Sequence, residues 1–228
     1  MGTQYAFGQI VTDGLVLCLN ASDRNSYVSG STTWNDVSGR GNNGTLINGP
    51  TYSNLNGGNL NFDGINNYVT TTITRGTLGN TMSVEAFFKY TGTNNRTYSA
   101  IIGGYESSGS GTEFFLGKNT GNTNFGIQDG NYVSNFLTTN YVFDGNFHHI
   151  VYTYNNGTGT LFVDGIQRGQ NSFSKCNDTE ILYIGNEIES SGYYWPGSIP
   201  MVRFYNKMLS TQEVLQNYNA TKSRFGIT

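Results

Sequence analysis

The chain has little charge, few cysteines and few histidines, and each shortage excludes something. Charged residues make up 12% of 228, the net charge is −3, and no cluster of Lys or Arg interrupts the sequence. Nucleic-acid binding draws on a basic footprint that releases counterions, so nucleic acid is not an expected partner. No run approaches the roughly 18 apolar residues that suggest a membrane-crossing helix, so membrane insertion is not expected either. The opening, MGTQYAFGQIVTDG, has no basic region followed by an apolar one, and a signal peptide would carry both. Two cysteines far apart in a leaderless chain, Cys18 and Cys176, fit buried free thiols better than a disulfide.

What fills the sequence instead is Gly (31), Tyr (16) and Phe (14), with Asn and Thr in quantity. Aromatic and β-branched residues favour strands, while Gly and Asn favour turns that need positive φ. A length of 228 lies within the roughly 200–250 residues that one β-sandwich can occupy. Six Asn-x-Ser/Thr sequons occur, at Asn20, Asn43, Asn95, Asn156, Asn177 and Asn219. Chance predicts about as many in so Asn- and Thr-rich a chain, so they carry no weight for glycosylation.

The hydrophobic period is two almost throughout. Val84, Ala86 and Phe88 alternate with Glu85, Phe87 and Lys89 in 83–90; Leu161 and Val163 alternate with Phe162 and Asp164 in 160–165. In 197–206, Ile199, Met201, Arg203 and Tyr205 oppose Ser198, Pro200, Val202 and Phe204. Similar runs cover 15–19, 59–62, 68–73, 100–104, 113–117, 124–128, 147–154 and 181–185, with Gly/Asn turn clusters between them. Short strands spaced by such turns predict a sandwich or barrel. One helix is expected near the C-terminus. Ser210-Thr-Gln-Glu213 has the spacing of a capping box, and Val214, Leu215 and Tyr218 follow as an apolar stripe at helical spacing.

Four blocks carry a family resemblance: Gly14–Tyr52, Gly57–Val69 with Met82–Tyr90, Phe147–Gly169, and LYIGNE followed by GSIPMVRFYNKMLSTQEVLQNYNATKSRFG. In this order they resemble the laminin-G-like branch of the concanavalin A-like lectin/glucanase superfamily. That resemblance implies an all-β fold, a two-sheet antiparallel jelly-roll sandwich with one short C-terminal helix, over residues 14–228, preceded by an arm at 1–13. IVTDGLVLCLNASDRNSY and LSTQEVLQNYNATKSRFG further resemble stand-alone laminin-G-like domains of tailed-bacteriophage virion proteins. The implied role is a capsid decoration or a tail or fibre component, assembled in the host cytoplasm and displayed on the virion. Its implied partners are other virion proteins, glycans of the host surface and further copies of itself.

Catalytic motifs are missing. Glucanases of the resembled superfamily carry a carboxylate triplet on one strand, and retaining hydrolysis needs two carboxyl groups about 5–5.5 Å apart. Here Glu85 and Glu113 each stand alone. Glu187 and Glu189 read as solvated charges in a loop. Adjacent His148 and His149 point to opposite faces of a strand, which predicts one inside and one on the surface, and no His/Tyr/Arg set on a single face. No Gly-x-Ser-x-Gly elbow occurs. The chain is therefore expected not to be an enzyme.

Ca2+ is implied by the resemblance, with Asp36, Asn42, Asp63 and Asn67 as the candidate oxygen ligands. Against it, Asn67 and Pro200 stand where relatives often hold carboxylates, and Asp36 and Asp63 also suit turns closed by their own side chains; no cofactor is required. Tyr193, Tyr194 and Trp195 form the candidate glycan- or partner-binding patch, since three adjacent aromatics cannot all point inward. The competing reading has Trp195 closing the edge of the core, and Trp34 is assigned to the core. In the arm, Tyr5, Phe7, Ile10 and Val11 are candidates for anchoring a partner by strand addition, against an extra strand within the same domain. The function expected is a non-catalytic virion structural protein with a lectin-like domain. The alternative is a free, Ca2+-dependent carbohydrate-binding lectin, and more remotely a glycanase or polysaccharide lyase.

Overall fold

Segments of period two pair into two antiparallel sheets stacked face to face in the computed structural model. It describes residues 9–92, 98–104, 112–119, 124–131, 137–139, 142–176, 179–187 and 192–227. The first sheet runs Ile166–Ser172 (β14), Thr158–Val163 (β13), Phe147–Asn155 (β12), Thr81–Tyr90 (β7), Pro196–Tyr205 (β16), Asn59–Asp63 (β5) and Thr51–Ser53 (β4). Leu15–Asn20 (β1) shares one edge of β16 with β5: β5 meets its start, Pro196–Ser198, and β1 its end, Met201–Tyr205. The second sheet runs Leu137–Thr139 (β11), Asn124–Asn131 (β10), Thr112–Asn119 (β9), Ser99–Gly104 (β8), Ile181–Ile184 (β15), Tyr68–Thr74 (β6), Gly44–Ile47 (β3) and Thr33–Trp34 (β2). This is the antiparallel jelly-roll sandwich that the patterning and the resemblance imply.

Between the sheets lie Val84, Ala86 and Phe88 of β7, Ile150 and Tyr152 of β12, Phe114 and Leu116 of β9, and Leu182 and Ile184 of β15. Burying each large apolar side chain is worth ~1.5–3 kcal/mol, so alternation along each strand decides which face turns inward. Trp34 is fully buried in this core, as expected. Pro200 cannot donate to a ladder, and β16 accommodates it in a bulge, where the register against β7 shifts between Ser198 and Met201.

The C-terminal helix spans Thr211–Thr221 and opens with the predicted capping box. The Glu213 amide donates to Ser210 Oγ at 3.2 Å, and the Ser210 amide to Glu213 Oε2 at 2.8 Å. Its buried stripe differs from expectation: Leu215 is 45% exposed, and Val214, Asn217, Tyr218 and Thr221 face the sheet. An additional short helix covers Arg75–Leu78. Short or edge strands escaped the periodicity: β2, β3 and β4 have two to four residues, and β14 is polar and largely exposed.

Part of the arm belongs to the fold. Val11 is buried and Ile10 packs beside it, on a cluster with Leu15, Val151, Tyr205, Leu209 and Val214. Val11 is in no strand; its amide donates to Asn217 Oδ1 at 2.8 Å, and its carbonyl accepts from the Tyr205 hydroxyl at 3.2 Å. Val11 is thus committed to this domain rather than to a partner, whereas Ile10 is only half-buried beside it. Tyr5 and Phe7 lie outside the described residues.

Candidate binding face

Three places in the molecule gather the chemistry that the sequence analysis singled out. The first lies on the outer face of the first sheet, beneath the C-terminal helix. Strand pairing sets Glu85 of β7 beside both Arg203 of β16 and Val151 of β12, with His149 two positions along. Glu85 Oε1 accepts from Arg203 Nη1 at 2.6 Å and lies 2.9 Å from His149 Nε2, while Oε2 accepts from Asn217 Nδ2 at 2.7 Å. The same Asn217 amide also donates to the Tyr205 hydroxyl at 3.0 Å. Burial opposes ionisation of Glu85, but the Arg203 charge and the bonds from His149 and Asn217 outweigh it and hold the carboxyl at about 2. Burial likewise opposes the charge on Arg203, and Glu85 more than restores it.

This network corrects two expectations. His149, Arg203 and Tyr205 do share one face, and neither histidine lies on the surface. His149 is not on the surface: it stacks between Phe87 at 4.6 Å and Tyr218 at 5.6 Å, fully buried. His148, on the core-facing side, is buried too, its ring nitrogens 2.8 Å from Asp164 Oδ2 and 3.0 Å from Asp144 Oδ1. Substrate cannot reach Glu85 or His149 while the helix is seated, so the arrangement as it stands docks the helix.

The Ca2+ candidates sit in two turns, each tied to a distant segment: Asp36 and Asn42 to Cys18 and Val16, and Asn67 to the Asn48 carbonyl. Asp36 Oδ1 accepts the amides of Cys18 and Ser38, each at 2.8 Å, and Oδ2 accepts the Ser38 hydroxyl at 2.7 Å and the Asn42 amide at 3.0 Å. The Asn42 side chain donates to the Val16 carbonyl. Asp63 Oδ1 accepts the amides of Ile65, Asn66 and Asn67 at 2.8–3.1 Å, and Asn67 Oδ1 accepts the Asp63 amide. Burial disfavours the charge on Asp63, but those amides outweigh it and keep its carboxyl below the ordinary value. Both oxygens of Asp36 and Oδ1 of Asp63 thus close turns onto backbone amides, the use that Asx-type turns make of such residues. Among the described residues no cluster of three His, Cys, Asp or Glu is placed to hold a metal.

The third place is the outer face of the second sheet. Tyr68 and Tyr183 project outward where their strand neighbours Val69, Leu182 and Ile184 project into the core. Their ring centres are 6.2 Å apart, and Tyr194 lies 6.3 Å from Tyr68. Beside them Tyr193 lies tilted against Tyr98 with ring centres 5.1 Å apart, and both meet Phe115 edge-on at 6.2 and 6.1 Å. The segment after β15 folds back over this face: the Ala100 amide donates to the Tyr193 carbonyl at 2.7 Å. Gly103 makes room for it, since a Cβ there would come within 2.6 Å of Glu187 Cβ. Glu187 is consequently buried, against the expectation of a solvated loop charge; Glu189 lies outside the described residues.

Of the predicted aromatic patch, Tyr193 and Tyr194 are half-buried members of this face. Trp195 is not: it is fully buried, edge-on to Phe88 and Tyr90 at 5.4 Å, and closes the core as the competing reading had it. Tyr68, Tyr98 and Tyr183 were missed, because only the strand register brings them to the same place.

The family model Laminin_G_3, described as the concanavalin A-like lectin/glucanases superfamily, matches residues 63–215. The chain belongs to that superfamily. No match is found among curated protein sequences. Among solved structures, domain 4 of AbnA, a GH43 extracellular arabinanase from Geobacillus stearothermophilus in complex with arabinotriose, is similar at 16% identity and a TM-score of 0.70; the match covers 90% of this chain and 98% of that domain. The binding domain of botulinum neurotoxin DC, in complex with rat synaptotagmin II, shares 12% identity at a TM-score of 0.72, over 92% of this chain and 52% of that one. Trypanosoma rangeli sialidase shares 16% at 0.69, over 92% and 33%. At such identities the likeness is one of fold: a lectin-like jelly roll that spans nearly all of the arabinanase domain but about half of the toxin domain and a third of the sialidase.

Proposed function

We propose that this chain is a non-catalytic lectin-like module that contacts glycans through the tyrosine face of its second sheet, and that it is a structural component of a bacteriophage virion. The observation that carries the glycan reading is the grouping of Tyr68, Tyr183 and Tyr194. Aromatic rings with a polar tip give apolar contact area at small entropic cost and suit surfaces that are wet at one end. The similar arabinanase domain, solved with arabinotriose, supports a sugar as ligand. The non-catalytic reading is supported by the burial of Glu85, His149 and Arg203 under the helix. The virion reading is supported by the resemblance of the opening and closing segments to tailed-phage domains.

A glycan array, with and without chelator, tests the first part. Binding that is lost in Tyr68→Ala and Tyr183→Ala and indifferent to chelator supports it; binding that survives both substitutions removes the tyrosine face from the reading. Mass spectrometry of purified particles tests the virion assignment and separates it from a free lectin.

A further inference from the structure

The outer face of the first sheet holds a recess of about 830 Å3 beside the polar network. It is bounded by Ile10 and Thr12 of the N-terminal segment, by β1, and by the end of the C-terminal helix with the turn that follows it. Small-molecule sites commonly measure about 300–1,000 Å3 and combine apolar walls with a few convergent polar groups. Here the walls include Leu15, Val37 and Met201.

Two guanidinium groups line it. Arg203 is 3% exposed; Nη1 is held by Glu85, but Nε has no hydrogen-bond partner among the described residues and lies in the neighbourhood of the buried Cys18 thiol. A buried donor left unsatisfied is unfavourable, and a ligand that supplies an acceptor removes that penalty. Among the described residues Arg224 donates to neutral oxygens: the Asn56 carbonyl at 2.7 Å, Asn20 Oδ1 at 2.8 Å and the Gly58 carbonyl. Glu85 pairs with Arg203, while no carboxylate is hydrogen-bonded to Arg224 among the described residues. Asp23 also lines the recess, and its Oδ1 accepts the Asn25 amide. A dianion such as phosphate would meet that carboxylate, whereas a monoanion bearing hydroxyls can donate to it. A long aliphatic acid would satisfy the arginines and leave Asp23, Asn20 and Asn56 without partners from the ligand.

We propose that this recess binds an acidic monosaccharide, its carboxylate toward Arg203 and Arg224, its hydroxyls toward Asp23 and Asn56, and its apolar ring face against Val37 and Met201. The site lies on the opposite sheet from the tyrosine face and does not depend on it.

Met201 supplies the probe, since it lines the recess and is 1% exposed. The full chain, labelled with 13C at its methionine methyl groups, is titrated with glucuronate, galacturonate, glucose, inorganic phosphate and decanoate. A saturable shift of the Met201 methyl with the uronates, absent with glucose and phosphate, is expected. Arg203→Lys is the obvious variant but disturbs the Glu85 pair, so Val37→Trp, placed at a position 37% exposed, serves as the second. It fills the mouth without touching the network, and should weaken uronate binding by about tenfold or more, a loss of the size of one good contact, with an unchanged melting curve. Tyr68→Ala should leave the titration as it is. Several outcomes overturn the proposal: no shift at about 50 mM uronate, weaker than any specific site of interest; an equal shift with glucose; a larger one with phosphate or decanoate; indifference to Val37→Trp; or uronate binding that emerges only when residues 2–8 are deleted, which would assign the recess to the chain's own terminus.

Discussion

The two outer faces of the sandwich have been put to different uses. On the first sheet, a helix and the N-terminal segment cover the face, and the groups under them are charged: Glu85 and Arg203, with His149, Tyr205 and Asn217 completing their hydrogen bonds. On the second sheet no helix covers the outer face among the described residues; a folded-back segment brings two tyrosines against three other aromatic rings and leaves tyrosines partly open to solvent. Buried charge is costly unless it is paired, so the network under the helix serves stability, while the recess beside it leaves Arg203 Nε without a partner among the described residues. Half-exposed rings lose little by being contacted, so the second face is free to bind.

The sharpest way to break this contrast is Glu85→Ala. It strands a buried guanidinium and removes the partner of His149 and Asn217, and should cost about 3–5 kcal/mol in urea unfolding; a loss close to zero would mean that the face is open. Acid provides a second reading of the same group. The Glu85 carboxyl sits at about 2 in the folded chain against an ordinary 4.5. Its contribution is complete above about pH 4.5 and drains away as the pH falls toward 2. The wild type should therefore lose more stability across that window than Glu85→Gln does.

Asn217→Ala, which unclasps Val11, Tyr205 and Glu85 together, should cost about 1–3 kcal/mol and speed proteolysis of the N-terminal segment. His148 gives the opposite sign of pH dependence. Burial opposes its charge, but Asp164 and Asp144 outweigh it and raise its value above the ordinary 6.5. Its contribution is full below pH 6.5 and is lost as the pH rises through the raised value. Melting curves taken on either side of that range should converge for His148→Gln and diverge for the wild type. On the other face, Tyr183→Ala should move stability by less than about 1 kcal/mol while reducing glycan binding. Leu215→Ser, on the exposed side of the helix, should change stability by less than about 0.5 kcal/mol.

Much of the fold was legible because alternation is a local signal. Val84, Ala86 and Phe88 announce their strand and its inward face without reference to any neighbour, and Ser210 and Glu213 announce the helix start through bonds that span only three residues. The strands that were missed are those where the signal has no length, as in Thr33–Trp34, or no buried face, as in Ile166–Ser172. Leu215 misled for a related reason: an apolar residue at helical spacing counts toward a stripe in sequence, but the helix turns Asn217 inward because Glu85 waits there.

What the residues alone determined about this protein is the sandwich, its period, its capped helix and the inward place of Trp34, all of which follow from contacts a strand or a turn makes with itself and with an apolar interior. What only the tertiary structure decided is who meets whom across long separations. Glu85, His149, Arg203 and Asn217 come from four elements, and Tyr68, Tyr98, Tyr183 and Tyr194 from four segments. For Glu85, His149, Arg203, Tyr68 and Tyr183 the meeting rests on strand register, where a shift of one residue would send each side chain to the other face.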